Sequence, residues 1–416
     1  MYTLGDIPRK SAILFPHNTA TVFEGTRLTY RQLNERVNRL ANGLLGLGIG
    51  KGDRLAVLAE NTHKYLEVYF AASKLGISVC PLNFRLADQE IVHIVNDSES
   101  TCFFAADGYE SRSMNLKGDL ANIKYWIAMD SQAEGYRYYE DVLKDASPHE
   151  PGLEAGEEDM AILMYTGGTT GTPKGVMMSH RGLMSGLLAV ALGFCFNRYD
   201  ATCFVLPLFH ISFWPALAVL LTGGKVVINR KPDLKGILQL IQDEKCTHIN
   251  AVPTIYGWIV QSADPDAYDL SSLRCISYAG SPFPTQLLKQ CIQKFGPKFE
   301  QMYAMTECAG GTILFREDHV LEGDRSRLLA SAGKAITSAD VQVFDNDDRS
   351  VPVGEVGEIV IRGKCVMMGY WKNPELTAST LRGGWYHTGD MGYMDDEGYL
   401  PLRYCVWVNN VNLELP

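Results

Sequence analysis

The alternation of short apolar runs with amphipathic stretches, first seen over residues 54–82, constrains the fold of this 416-residue sequence more than any other feature. Residues 54–59 and 77–82 are apolar runs of strand length, and 62–75 between them suits a helix. A strand, a crossover helix and a second strand specify parallel neighbours, because parallel strands need a long connection. The same rhythm returns downstream, with strands predicted at 202–206, 225–229, 248–252, 274–278 and 298–303. Helices are predicted near 180–196, 211–222, 233–244, 253–263 and 284–295. Ahead of the first strand, Thr29 and Gln32 form the two ends of a capping box, and Leu33, Val37, Leu40 and Leu44 follow at helical spacing. Gly46, Gly48, Gly50 and Gly52 then read as helix-to-strand turn chemistry and do not satisfy G-x-G-x-x-G. Residues 107–158 are polar and acidic, and 148–158 reads as a surface connector. From about residue 331 the pattern becomes short strands with Gly, Asp and Asn turns, which suggests a small β-lobe.

A chain of this length exceeds what one growing core accommodates, so more than one lobe is expected. The expected division is α/β lobes over 1–328, a small β-barrel-like subdomain over 329–400, and an atypical tail over 401–416. Lys and Arg total 38 against 48 Asp and Glu, a net charge of −10 that argues against nucleic acid as a partner. The 10 cysteines never form C-x-x-C, which fits a reducing compartment and no zinc cluster. No signal-like apolar region opens the chain, and the apolar stretch 183–196 is short of a membrane span. A cytoplasmic protein is expected, with peripheral membrane contact left open.

The densest motif is Tyr165-Thr166-Gly167-Gly168-Thr169-Thr170-Gly171-Thr172-Pro173-Lys174-Gly175, set between the apolar runs 160–164 and 176–179. Glycines let a loop aim its backbone N–H groups at one point, and hydroxyls with an ammonium complete a polyphosphate receptor. An ordinary Gly/Thr hairpin loop is the alternative, since turns attract the same residues. It is not a P-loop: Pro173 precedes Lys174 and Gly175 follows it, and no helix is predicted next.

The loop closely resembles the phosphate-binding signature of the AMP-forming acyl-CoA synthetases, the superfamily of firefly luciferase and peptide-synthetase adenylation domains. Gly52-Asp53-Arg54 is similar to the family's early turn into a strand. The resemblance implies two sandwiched, mostly parallel sheets with flanking helices plus a small β-barrel subdomain. It implies ATP, Mg²⁺, coenzyme A and a carboxylic acid as ligands, in fatty-acid-type metabolism. Residues 166–174 would hold the leaving pyrophosphate. In Gln301-Met302-Tyr303-Ala304-Met305-Thr306-Glu307, Tyr303 would stack on adenine, Thr306 bond the α-phosphate and Glu307 hold Mg²⁺. A π-face, a hydroxyl and a hard carboxylate suit those roles. Gly280 and Ser281 resemble the adenine-edge loop, with a plain strand-to-helix turn as the alternative. Asp390, in Trp385-Tyr386-His387-Thr388-Gly389-Asp390, would bond both ribose hydroxyls, since a carboxylate offers two acceptors to a vicinal diol. His387 reads as structural.

Phe209, His210, Phe213 and Trp214 resemble the lining of the family's acyl pocket, although aromatic core packing accounts for Phe213 and Trp214 nearly as well. His210 stands where amino-acid-activating relatives carry an Asp, which disfavours an amino acid substrate. Fatty, alicyclic and aromatic acids all fit this description. The resemblance stops near residue 400: Arg403 falls too early for the family's hinge arginine, Cys405 falls at about that position, and the expected lysine-bearing C-terminal lid does not follow. The tail therefore reads as a truncation or frameshift, with ATP and acyl-adenylate binding, weak adenylation and little thioester formation expected. Two other readings stay open: a non-catalytic nucleotide-binding lobe, and an acyl- or aryl-adenylating protein that loads a carrier protein.

Overall fold

The helix expected at 62–75 runs His63–Leu75, and all 13 of its residues are buried. A helix covered on every side lies between two layers, so its charged residues need partners. Glu67 accepts from Arg36 at 2.8 Å and from the Tyr139 hydroxyl at 2.7 Å. Lys74 donates to Asn38 at 2.6 Å, Asn34 at 2.8 Å and Glu150 at 2.6 Å. Burial still pushes the Lys74 ammonium down to about 8. Gly76 ends the helix in the left-handed conformation, at φ 68°.

In this computed structural model, which describes residues 3–152, 155–167, 173–231 and 233–404, the layers are two large sheets. The first holds nine strands, in the order Lys334–Ala335, Cys308–Leu314, Phe299–Met305, Cys275–Tyr278, His248–Ala251, Ala201–Phe204, Lys225–Ile228, Thr19–Phe23 and Thr26–Thr29. The second holds eight: Gly369–Tyr370, Lys174–Ser179, Met160–Thr166, Ser78–Leu82, Arg54–Leu58, Cys102–Ala105, Tyr125–Ala128 and Arg137–Tyr138. Pairing is parallel through both interiors and antiparallel only toward edges. One continuous apolar core joins the sheets, with Tyr65, Phe70, Leu183, Leu217, Cys203 and Ile162 among its members. No helix among the described residues is long and apolar enough to cross a membrane.

A four-stranded antiparallel sheet, Ala339–Phe344, Gly357–Gly363, Tyr386–Gly392 and Leu402–Tyr404, stands where the sequence suggests a small β-lobe. It is interwoven with the large sheets: Lys334–Ala335, just before its first strand, and Gly369–Tyr370, between its second and third, serve as their edge strands. The polar stretch 107–158 is more structured than its composition suggests. It contributes the strand Tyr125–Ala128, and Glu150 in the connector is anchored on Lys74.

Strand Phe299–Met305 also carries a buried carboxyl. Glu300 meets the Cys275 thiol at 3.5 Å and stays 4.0 Å from Arg316, so burial dominates and pushes it up to about 7. The folded value lies above the unfolded one, so the unfolded chain loses this proton first as pH rises. Stability from this group is complete below about pH 4.5 and declines toward pH 7, at most about 3 kcal/mol in all. Glu300→Gln is expected to remove that decline and raise the unfolding free energy above neutrality, as urea titrations across this pH range would read. A variant less stable than wild type at about pH 8 would contradict this assignment.

Candidate functional site

Strands Met160–Thr166 and Lys174–Ser179 pair antiparallel with Thr166 opposite Lys174, so the Gly/Thr motif is the link of a hairpin. Gly168, Thr169, Thr170 and Gly171 lie outside the described residues. Gly167 is exposed, Thr166 half-buried, and Lys174 opens the return strand. Gly175 follows because a side chain there would press on Trp371, Tyr165 and Leu163, each 3.1 Å from an added Cβ. That close approach brings the strand Gly369–Tyr370 against Lys174–Ser179. Lys174 Nζ then stands 5.9 Å from the Tyr370 ring centroid, within cation–π reach.

Thr306 and Glu307 form the two-residue tip between Phe299–Met305 and Cys308–Leu314, where Met305 pairs with Cys308. Both are buried. The Tyr370 hydroxyl donates to Glu307 Oε1 at 3.1 Å, and the Met367 N–H donates to the Glu307 carbonyl at 2.8 Å. Glu307 Oε2 is buried and has no hydrogen-bond partner among the described residues. Burial raises the carboxyl above its usual range, opposed by the Tyr370 hydroxyl and the Lys174 charge. An orphaned, buried carboxylate oxygen costs free energy until a cation or donor meets it. That oxygen fits a hard divalent cation. Among the described residues there is no group of three or more His, Cys, Asp or Glu that could hold a metal ion.

On the other side of this tip, the Tyr303 hydroxyl donates to Asp390 Oδ2 at 2.6 Å. Asp390 is fully buried in strand Tyr386–Gly392, its N–H bonded to Thr388 Oγ1 at 3.0 Å. Tyr386 opens the same strand as Asp390 and is buried; desolvation, together with the charges of Glu307, Tyr370 and Tyr303 nearby, holds its pKa well up. Lys174, Tyr370, Glu307, Tyr386, Tyr303 and Asp390 are thus one contiguous group drawn from three sheets. His387 turns away to Glu358, 2.8 Å off. Tyr278 pairs with Gln301, so Gly280 follows its strand at the end where Tyr303, paired with Thr312, lies near the tip at Thr306 and Glu307.

The segment from Leu206 to Trp214 follows strand Ala201–Phe204 at that same end. Asn61 ties it across to the other sheet, donating to the Leu206 and Asn229 carbonyls at 3.0 Å and accepting from the Leu208 N–H at 2.8 Å. His210 is exposed, its Nδ1 accepts from the Ser212 N–H at 3.2 Å, and desolvation lowers its pKa. Phe209 meets Phe84 edge-on at 5.3 Å. Phe213 and Trp214 are buried: Phe213 stacks on Tyr69 at 5.0 Å and meets Trp214 at 5.7 Å. Ser212 Oγ and Trp214 Nε1 are buried without hydrogen-bond partners among the described residues.

Tyr370, Tyr386 and Asn61 escaped the sequence reading. Gly369-Tyr370-Trp371 was a usable signal, a glycine and two aromatics closing the apolar run Val366-Met367-Met368. Asn61 carried none, because its partners are backbone groups far along the chain.

A hairpin with a lysine, a carboxylate with one oxygen unpartnered among the described residues and a second buried carboxylate held by a tyrosine stand together here. The chain belongs to the AMP-binding enzyme family, whose description matches residues 9–371, and is an acid–thiol ligase of that family. It is 36% identical over 399 residues to a feruloyl-CoA synthase from Amycolatopsis, covering 95% of this chain and 77% of that one. It is 34% identical over 410 residues to the long-chain-fatty-acid–CoA ligase FadD13 of Mycobacterium tuberculosis, covering 97% and 78%. The crystal structure of the N-terminal domain of FACL13 from Mycobacterium tuberculosis superposes with a TM-score of 0.88 at 31% identity, covering 97% of this chain and 100% of that one.

Proposed function

We propose that the chain activates a large apolar carboxylic acid, aromatic or long-chain, as its adenylate on the way to a coenzyme A thioester. The observation that carries this reading is the convergence of Lys174, Glu307 and Asp390 through Tyr370, Tyr386 and Tyr303. Asp390 takes the ribose hydroxyls, Tyr303 with Gly280 and Ser281 flanks the adenine, and Thr306 bonds the α-phosphate. Thr166, Gly167, Gly168, Thr169, Thr170, Gly171 and Lys174 take the β- and γ-phosphates. A carboxylate oxygen of the acid attacks the α-phosphorus, and the bond to pyrophosphate breaks. The coenzyme A thiolate then attacks the acyl carbonyl and AMP leaves. Mg²⁺ held by Glu307 would offset charge on the phosphates; this chain's own residues position the reactants. Phe209 and His210 line the entrance for the acid, with Phe213 and Trp214 behind them.

The α/β lobes over 1–328 and the β-rich region over 329–400 both contribute to this site. This reading expects binding of nucleotide and acyl-adenylate, with adenylation of the acid measurable in the chain. Two assays test this: exchange of labelled pyrophosphate into ATP with a panel of acids, and release of AMP on adding coenzyme A. Acid-dependent exchange, with AMP release once coenzyme A is added, is expected. ATP binding with no exchange on any acid would make this a binding lobe. Acyl transfer to a phosphopantetheinyl protein and not to coenzyme A would replace the thiol partner.

A further inference from the structure

Immediately after Glu307 the chain carries a thiol that faces another thiol. Cys308 Sγ and Cys365 Sγ stand 3.5 Å apart, 57 residues apart in sequence, and both side chains are buried. They converge because both donate to the same acceptor, the Gly310 carbonyl, at 3.0 and 3.2 Å. Their backbones are held together independently: the Ala309 N–H donates to the Cys365 carbonyl at 3.0 Å, and Cys308 bridges Val366 in antiparallel fashion. With the sulfurs already 3.5 Å apart on neighbouring hydrogen-bonded segments, closure to a disulfide requires a movement of about 1.5 Å.

We propose that Cys308 and Cys365 are an oxidative modification site, closing to a disulfide when the protein meets a peroxide. One sulfur attacks the peroxide, the O–O bond breaks, and a sulfenic acid and one water form. The second sulfur displaces the sulfenic oxygen as another water, so two thiols and hydrogen peroxide yield one S–S bond and two waters. The thiols lose two electrons and the peroxide gains them. Closing the bond draws the sulfurs in to about 2 Å and withdraws both donors from the Gly310 carbonyl. The segment bearing Cys365 also holds the Met367 N–H on the Glu307 carbonyl and leads to the Tyr370 hydroxyl on Glu307 Oε1. Oxidation therefore displaces Glu307. A consequence for Mg·ATP follows, and that part rests on the proposed function.

The test exposes the purified chain to hydrogen peroxide, alkylates remaining thiols and maps cross-linked peptides without reductant. A peptide joining Cys308 to Cys365, reversed by dithiothreitol, is the expected result. Mg·ATP affinity, read by calorimetry, should fall at least about tenfold on oxidation and recover on reduction, as expected when a ligand-bearing carboxylate is misplaced. Cys365→Ala should keep its affinity through peroxide treatment. Should that variant fold poorly, Cys365→Ser serves the same comparison. The site is overturned if both cysteines stay alkylatable while exposed Cys195 is oxidised, or if the interacting Cys203 and Cys246 are the pair that cross-links. A disulfide that forms without altering Mg·ATP affinity removes the link to Glu307. A disulfide in a chain that never binds Mg·ATP upholds the site and refutes the nucleotide reading instead.

Discussion

Glu307→Gln is expected to lower pyrophosphate exchange by about 100- to 1,000-fold, the usual loss when one transition-state-stabilising group is removed. The same variant is expected to melt at or above the wild-type temperature without ligand. The two effects share one cause. Burial lifts the Glu307 carboxyl above its ordinary range, and one oxygen has no partner among the described residues. With the folded pKa above the unfolded one, the favourable contribution is complete below the unfolded value of 4.5 and is lost as pH rises through the folded value. As pH rises through that folded value the carboxylate therefore supports the fold progressively less. Glutamine keeps an acceptor for the Tyr370 hydroxyl while removing the charge. Added Mg·ATP should stabilise wild type far more than the variant, since a ligand raises stability only by binding the folded state. Thermal denaturation with and without Mg·ATP, beside the exchange assay, reads both halves. A variant that keeps full exchange, or melts well below wild type, would remove Glu307 from the site.

The parallel strands were legible because each is a short apolar run set between turn residues. The runs predicted at 225–229 and 248–252 appear as Lys225–Ile228 and His248–Ala251, and the capping box at Thr29 makes both of its hydrogen bonds. Cys308–Leu314 was not legible, because Gly310 and Gly311 argue against a strand interior. They are required there: a Cβ on Gly311 would come within 3.0 Å of the Tyr303 carbonyl, and one on Gly310 within 2.6 Å of Ile336. Helix Asp88–Asp97 was likewise missed, since its start is set by Glu90 bonding back to the Ala87 N–H and no capping hydroxyl marks it. In the site, residues inside dense motifs could be read from sequence. The bridging roles of Tyr370 and Tyr386 could not, although Tyr386 lies inside the Trp385–Asp390 motif, because the fold alone brings the bridged motifs together.

Asp390→Ala tests that bridging most directly. It is expected to raise the KM for ATP about 100-fold or more while changing kcat less, because two charge-assisted bonds to a diol are worth about 1.5–3 kcal/mol each. Loss of binding shared by ground and transition states moves KM and leaves kcat. Asp390→Asn retains one good acceptor and should lose about tenfold. Structure predicts a second cost. In the ligand-free protein the Tyr303 hydroxyl donates to Asp390 at 2.6 Å in a buried setting, so Asp390→Ala removes a strong acceptor from a buried donor. That desolvation penalty is about 1–3 kcal/mol of stability. Tyr303→Phe in the Asp390→Ala background should recover part of it, because removing both partners costs less than removing one. The pair would show as a coupling energy in a double-mutant cycle of unfolding free energies. Tyr303→Phe alone keeps the ring face for adenine and should raise the ATP KM only modestly, by loosening Asp390. If Tyr303→Phe damages ATP binding as much as Asp390→Ala does, the hydroxyl itself contacts nucleotide. If neither substitution moves the KM, the ribose site lies elsewhere, and the convergence around Tyr386 is packing alone.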